Sequence, residues 1–224
     1  MKIGQYKKIG LLGGTFNPIH SGHLKAAELI LDKIGLEKIL FIPSYVPPHK
    51  GLTDMAAPYH RLNMVKLAIA GNPVFEASSL EIDAEETSYS IITLGKIRNR
   101  YPCSTIFFIV GIDAFLEIKT WKEYKKVLKQ CSFIVISRPG YHLEEAIKVL
   151  EGKYCRNIYE YQDDQKLQDA AEIKNGNILF RIPALDISST DIRRRLAAKE
   201  MITGLVPEPV QAYIQKHRLY QGTS

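Results

Sequence analysis

Two histidines three residues apart, His20 and His23, follow a glycine-rich turn in the stretch Gly13-Gly14-Thr15-Phe16-Asn17-Pro18-Ile19-His20-Ser21-Gly22-His23-Leu24. An apolar run, Ile9–Leu12, precedes the turn, and an apolar-periodic segment from Leu24 to Ile34 follows it, the order of a strand, a turn and a helix. Gly13 and Gly14 carry no Cβ, so the backbone there can approach an anion closely. The helix start beyond offers unpaired N–H groups and the positive end of the peptide dipoles. His20 and His23 project to one side of a helical turn, where imidazole N–H groups can hold phosphate oxygens. The chemistry implied is phosphoryl or nucleotidyl transfer. The motif is neither GxxxxGK[ST] nor GxGxxG. Taken singly, the glycines suit a tight turn and either histidine suits an ordinary surface or core position. A metal reading of the pair needs further ligands, with Asp113 the candidate, and no metal site is expected.

A second constellation lies far along the chain, at Ile187-Ser188-Ser189-Thr190-Asp191-Ile192-Arg193. Hydroxyl residues before a helical pattern make good caps, and capping alone accounts for most such sequences. Arg193 is read at the fourth helical position or earlier, where a cation is unfavourable unless an anion sits nearby. Two phosphate-type helix starts remote in sequence are the expected pair for one triphosphate.

The elements that must position these residues alternate. Strands are expected at Ile9–Leu12, Lys38–Ile42, Val74–Ile82, Thr105–Val110, Ser132–Ser137 and Ile178–Ile182. Helices are expected at Ser21–Ile34 (Ser21 as cap, Gly35 as stop), Tyr59–Ala70, Ser90–Arg100, Trp121–Gln130, Leu143–Leu150, Thr190–Ala198 and Pro209–Lys216. The alternation predicts an α/β fold, a Rossmann-like, doubly wound, mostly parallel sheet with helices on both faces and a C-terminal helical segment over 186–224. One domain over 1–224 is expected, with 141–177 an irregular insertion that loses periodicity through Tyr159-Glu160-Tyr161-Gln162. Asp113, in Val110-Gly111-Ile112-Asp113 at a strand end, suits ribose hydroxyls or a turn that caps the next helix.

Composition narrows the class. The 224 residues are 46% hydrophobic, with net charge +6 and pI near 9.1. A basic balance calls for an anionic partner. Its densest cluster, Arg193-Arg194-Arg195, sits inside a helical pattern, which favours a local anion site over a nucleic-acid surface. No aromatic-interleaved basic stripe is visible, so no nucleic-acid partner is expected. Lys122, Lys125, Lys126 and Lys129 read as an ordinary solvated face. Cys103, Cys131 and Cys155 offer no CxxC pair and no disulfide framework, and Cys131 reads as simply buried. With no signal-peptide pattern and no membrane-length apolar run, a cytoplasmic protein without a membrane partner is expected. Oligomeric state stays open, a homo-oligomer included.

The form GGTFNPIHSGHL resembles the HxGH signature of the nucleotidyltransferase superfamily, which also contains the class I aminoacyl-tRNA synthetases, and is similar to that of bacterial nicotinate-nucleotide adenylyltransferases. Ile187–Arg193 resembles the ISxTxxR motif of that family, Pro48-His49-Lys50 its PHK loop, Thr87-Ser88-Tyr89-Ser90 its TSYT segment, and Ser137-Arg138-Pro139-Gly140 the loop beneath its adenine. The resemblance runs from Lys8 to about Tyr213, broken mainly by Tyr141–Asn177. It implies adenylyl transfer from ATP to nicotinate mononucleotide in NAD biosynthesis, with Mg²⁺ arriving on the ATP. It gives catalysis to His20, His23 and Arg193. It gives ATP binding to Gly13, Gly14, Thr15, Phe16, Gly22, Gly111, Asp113, Arg138, Ser188, Ser189 and Thr190. Asn17, His49, Lys50, Thr87, Ser88, Tyr89 and Trp121 go to the mononucleotide, Trp121 as a surface for the pyridine ring. The family often has Asp where this chain has Ile92, which is read as facing the core. Pantetheine-phosphate adenylyltransferases and cytidylyltransferases share HxGH but are typically shorter and lack the GxDxF…W stretch present at Gly111–Trp121. A non-catalytic nucleotide- or RNA-binding protein is the rival of another class. A synthetase fragment is disfavoured, for there is no KMSKS-like loop.

Overall fold

A computed structural model describes residues 6–48, 55–138, 140–142, 144–150, 158–161, 176–181 and 187–221. In chain order the elements are β1 (Lys8–Gly14), α1 (Ser21–Ile34), β2 (Lys38–Pro43), α2 (Pro58–Ile69), β3 (Phe75–Ala77), α3 (Ser90–Arg100), β4 (Thr105–Gly111), α4 (Ile112–Leu116), α5 (Tyr124–Gln130), β5 (Ser132–Ile136), α6 (Glu144–Val149), β6 (Ile158–Tyr161), β7 (Asn177–Phe180), α7 (Ser189–Ala197) and α8 (Glu208–Lys216). The strand order is β3-β2-β1-β4-β5-β7-β6. This is a Rossmann-like α/β fold, as the alternation of elements predicts.

The chain divides into two compact units, each assembled from separate segments. The first comprises Met1–Gly13, Glu28–Ile39 and Tyr89–Ala184. Its strands pair parallel, β1 with β4, β4 with β5, β5 with β7 and β7 with β6. Ile106 to Val110 are all buried, and so is every residue of β5. Strands covered on both faces read as continuous apolar runs, which is why β4 and β5 stand out in the sequence. Arg98 of α3 donates to the Gln130 carbonyl at the end of α5 and to Ser104 O at 2.8 Å, fixing the turn that leads into β4. Cys131 is buried and free, its thiol pushed up by desolvation.

The second unit comprises Gly14–Ala27, Leu40–Ser88 and Leu185–Ser224. Helices α2 and α8 pack here around an aromatic cluster. The Tyr213 hydroxyl shares a hydrogen bond with His60 Nδ1 at 2.9 Å and accepts one from Asn63 Nδ2 at 3.2 Å. The His217 ring lies 5.1 Å from that of His60 and 4.2 Å from that of Tyr213, centroid to centroid.

Several expected boundaries move, for local reasons. Only Phe75–Ala77 of the alternating run Val74–Ile82 is a strand. Beyond it Ser79 Oγ donates to Asp83 Oδ2 at 2.6 Å and Asp83 N to Ser79 O at 2.8 Å, a side-chain-supported turn that outcompetes extension. The helix expected from Trp121 starts at Tyr124. Trp121 follows a 3₁₀ turn at Ile118–Thr120, and Glu123 is left-handed at φ 52°. Part of the expected insertion belongs to the sheet, since Ile158–Tyr161 pairs with β7 over Asn177–Phe180. Ser21 is the first residue of α1 rather than its cap, and its hydroxyl donates to Gly204 O at 3.0 Å. Ile92 is 39% exposed, so it does not face the core. Cys155 and Ile182 lie outside the described residues.

His60 is held below its ordinary pKa of 6.5, first by desolvation and then by the charge of His217. The unfolded chain therefore binds a proton in a pH range where the folded chain does not. Stability contributed by the neutral ring is present above pH 6.5 and is lost as pH falls below it. The melting temperature is expected to drop on acidification from pH 7 to pH 5, and to drop less in His60→Asn. Calorimetry across that range checks this, and equal slopes for the two proteins would contradict it.

Candidate active site

The turn between β1 and α1 lies outside the hydrogen-bond ladders on either side, so its polar groups need partners from elsewhere. Gly14 O accepts from Ser44 N at 2.9 Å. Thr15 O accepts from Arg61 NH1 at 2.8 Å, Asn17 O from Arg193 NH1 at 2.9 Å, and Pro18 O from Ser189 Oγ at 2.9 Å. The Asn17 side chain, 7% exposed, accepts at Oδ1 from Ala56 N at 3.0 Å and from the Tyr220 hydroxyl at 2.8 Å. A backbone N–H can only donate, so this pair of bonds assigns the oxygen end of the amide. Phe16, left-handed at φ 48°, is buried, and its ring meets His23 edge-on at 5.1 Å.

The two histidines open α1. His20 precedes its first residue and is 5% exposed; its ring stacks on that of His23 at 3.7 Å. His23, at the third helical position, accepts at Nδ1 from His20 N at 3.3 Å, the return half of a capping box with imidazole in the usual glutamate position. Because Nδ1 accepts, the neutral ring carries its proton on Nε2, and that N–H is the donor His23 can offer an oxyanion. A Cβ on Gly22 would lie 3.0 Å from His20 Nδ1 and 3.1 Å from its Cε1, close enough to push the ring by a few tenths of an ångström.

Helix α7 begins at Ser189, with Ser188 as cap accepting from Asp191 N at 3.1 Å. Arg193 is thus the fifth helical residue, and the first turn already holds an acid. Asp191 accepts from Arg194 and Arg195, and those bonds hold its carboxyl below the usual range. The expectation that Arg193 sits unfavourably at a positive helix end therefore does not stand, because Asp191 favours that end. Arg193 instead reaches Asn17 O and Thr190 Oγ1 (3.4 Å). The two helix starts do meet, since α7 bonds the turn that leads into α1.

The remaining predicted residues divide between the units. In the second, Thr87 bridges to Val46, and Ser88 Oγ accepts from Tyr45 N at 2.9 Å, beside the chain that enters the Pro47-Pro48 loop. His49 and Lys50 lie outside the described residues. In the first unit, Asp113 Oδ2 pairs with Arg138 at 3.4 Å, while its buried Oδ1 has no hydrogen-bond partner among the described residues. A Cβ on Gly111 would lie 2.5 Å from Asp113 Oδ1, so glycine lets that carboxylate fold over the strand end. Asp113 makes no cap bond to α4. Trp121 packs edge-on against Phe108 at 5.9 Å and remains partly exposed, and Lys122 Nζ lies 4.4 Å over the ring of Tyr89, the cap residue of α3. Gly13 makes ordinary contact with the edge of Phe108. Among the described residues no group of three or more His, Cys, Asp or Glu could hold a metal ion, and no helix is long and apolar enough to cross a membrane.

Sequence reasoning missed Arg61 and Tyr220. Arg61 is 0% exposed and donates to four backbone carbonyls: Ala56 (2.9 Å), Thr15 (2.8 Å), Ser44 (2.6 Å) and Tyr45 (2.9 Å). Its signal was available, since it occupies the same stripe of α2 as Met64, Val65 and Ile69. Tyr220 has no pattern to announce it.

Comparison with known proteins follows the same lines. Residues 11–195 match the model of the Cytidylyltransferase-like family. The chain is 41% identical over 213 residues to a nicotinate-nucleotide adenylyltransferase of Pelobacter propionicus, covering 95% of this chain and 98% of the relative. It is 42% identical over 215 residues to one of Desulfitobacterium hafniense, covering 96% of each. Among solved structures it superposes on the Plasmodium falciparum nicotinic acid mononucleotide adenylyltransferase complexed with NaAD, with a TM-score of 0.73 and 21% identity over 96% of this chain and 97% of that one. That likeness shows the fold.

Two substitutions probe this geometry. Gly22→Ala should displace the His20 ring and lower turnover about 10-fold or more, in line with the cost of a sub-ångström to 1 Å misplacement. Its melting temperature should change little, and wild-type turnover would contradict the argument. Arg61→Ala should leave buried carbonyls without donors and cost about 3 kcal/mol or more in urea unfolding, where a loss below about 1 kcal/mol would mean water replaces the guanidinium.

Proposed function

The chain belongs to the nicotinate-nucleotide adenylyltransferase family, and from that premise we infer that it transfers the adenylyl group of ATP to nicotinate mononucleotide, forming deamido-NAD and pyrophosphate in NAD biosynthesis. The observation that carries this reading is the joining of the two helix starts at the Asn17-Pro18 turn. A phosphate oxygen of the mononucleotide attacks the α-phosphorus of ATP, the bond from that phosphorus to the bridging oxygen breaks, and pyrophosphate departs with the electron pair. No covalent enzyme intermediate is needed, so the protein contributes position and charge.

His23 donates from Nε2 to an oxygen of the reacting phosphate, with His20 stacked behind it. Ser188, Ser189, Thr190 and the N–H groups that open α7 receive the other phosphates, with Gly13, Gly14, Thr15, Phe16 and Gly22 shaping the cradle. Arg193 supplies a permanent charge for the leaving group while keeping its bond to Asn17 O. Asp113, with Gly111 and Arg138, takes the nucleoside of ATP, its buried Oδ1 accepting a ribose hydroxyl. Asn17, His49, Lys50, Thr87, Ser88, Tyr89 and Trp121 take the mononucleotide, the partly exposed indole lying against the pyridine ring. Mg²⁺ would come with ATP as part of the substrate and would help screen the charge of the triphosphate. The +6 charge serves these small anions rather than a nucleic acid. Free Cys103 and Cys131 suit a reducing compartment, and a cytoplasmic location is part of this reading.

A coupled pyrophosphate-release assay tests it. Turnover is expected with ATP and nicotinate mononucleotide, and its absence with that pair would overturn the reading. His23→Ala should lower kcat by at least ~10²-fold with little change in KM, the mark of a contact made in the transition state.

A further inference from the structure

The segment that follows α8 makes a contact that the reaction chemistry above does not use. After α8 the backbone turns back on itself: His217 N donates to Tyr213 O, and Leu219 N to Ile214 O. Arg218 and Tyr220 both adopt left-handed geometry, at φ 52° and 61°, which costs a residue with a side chain about 1 kcal/mol each. The segment holds two disfavoured residues in three positions and thereby delivers the Tyr220 hydroxyl to Asn17 Oδ1 at 2.8 Å.

We propose that Tyr220 is a positioning residue for adenylyl transfer, its hydroxyl fixing the Asn17 amide and with it the turn that presents His20 and His23. Three separate segments bond Asn17: Ala56 and Tyr220 at its side chain, Arg193 at its carbonyl. The Tyr220 phenol is dependable as a donor. Burial pushes its pKa upward against the opposing charges of Arg61 and Arg193, so it stays protonated throughout the working range. Removing the hydroxyl takes away the bond that ties the Asn17 amide to the segment after α8 and so loosens the hold on the turn.

This inference rests on the adenylyl-transfer reading, and the experiment separates the two. Tyr220→Phe is compared with Tyr213→Phe, which removes a phenol hydroxyl from the same C-terminal segment but one bonded to His60 and Asn63 in the α2–α8 packing. Melting temperature, kcat and KM are measured for both and for wild type with ATP and nicotinate mononucleotide. Tyr220→Phe should lose about 10-fold or more in kcat with a small change in melting temperature. Tyr213→Phe should melt earlier and keep its kcat. Wild-type kcat in Tyr220→Phe, an equal loss of kcat in both variants, or a Tyr220→Phe protein that does not fold each overturns the proposal. A wild-type protein inert in the assay overturns the transfer reading and this inference with it.

Discussion

Backbone carbonyls that neither strand nor helix satisfies must find donors elsewhere, and this constraint organises the turn from Gly14 to Pro18. Arg61 bonds Thr15, Arg193 bonds Asn17 and Ser189 bonds Pro18. Each donor comes from a different stretch or helix position far along the chain. An orphaned carbonyl in this environment would cost about 1–3 kcal/mol, so the turn and the segments that serve it stabilise one conformation together. The histidines that follow inherit their position from that arrangement.

The same bonds decide how the charged groups are used. Arg61 is buried and directs four N–H donors to backbone carbonyls, which makes it a structural cation. Arg193 is tied to the turn through one nitrogen and to Thr190 through another, an anchored charge rather than a swinging one. Asp191 engages Arg194 and Arg195, and Glu200 pairs with Arg194, so the two guanidinium groups are met by two carboxylates. His23 gains its tautomer from the cap bond to His20 N, which costs the ring an acceptor and commits Nε2 as a donor. Glycine at 22 completes the set by leaving room for the His20 ring.

Much of this was legible in the sequence where one physical effect dominates. The buried parallel strands β4 and β5 announce themselves as apolar runs, α1 ends at Gly35 in left-handed geometry, and α3 spans Ser90–Arg100 as its periodicity predicts. The meeting of the His20 and Ser188 helix starts was expected from the family resemblance of the two motifs, since residue types alone left Ser188–Thr190 readable as a plain helix cap. What escaped depends on competition or on distance. The Ser79–Asp83 turn defeats an alternating pattern by local side-chain bonding. Strand β6 is defined by its pairing with β7, which the polar run Tyr159-Glu160-Tyr161 does not advertise. Reading Arg193 as an unfavourable charge overlooked Asp191 in the first turn of the same helix. Arg61 lay in plain view on an apolar stripe, whereas the placement of Tyr220 against Asn17 depends on two left-handed residues that no local rule foretells.

The central claim is that the clamped turn and the two helix starts it joins form a cradle for a polyphosphate. A crystal structure with a non-hydrolysable ATP analogue tests it most directly. The account predicts a phosphate oxygen within about 3 Å of His23 Nε2 and another at the Ser188–Thr190 start of α7, with the bond from Arg193 to Asn17 intact. A triphosphate bound elsewhere, with both helix starts facing only water, would contradict it.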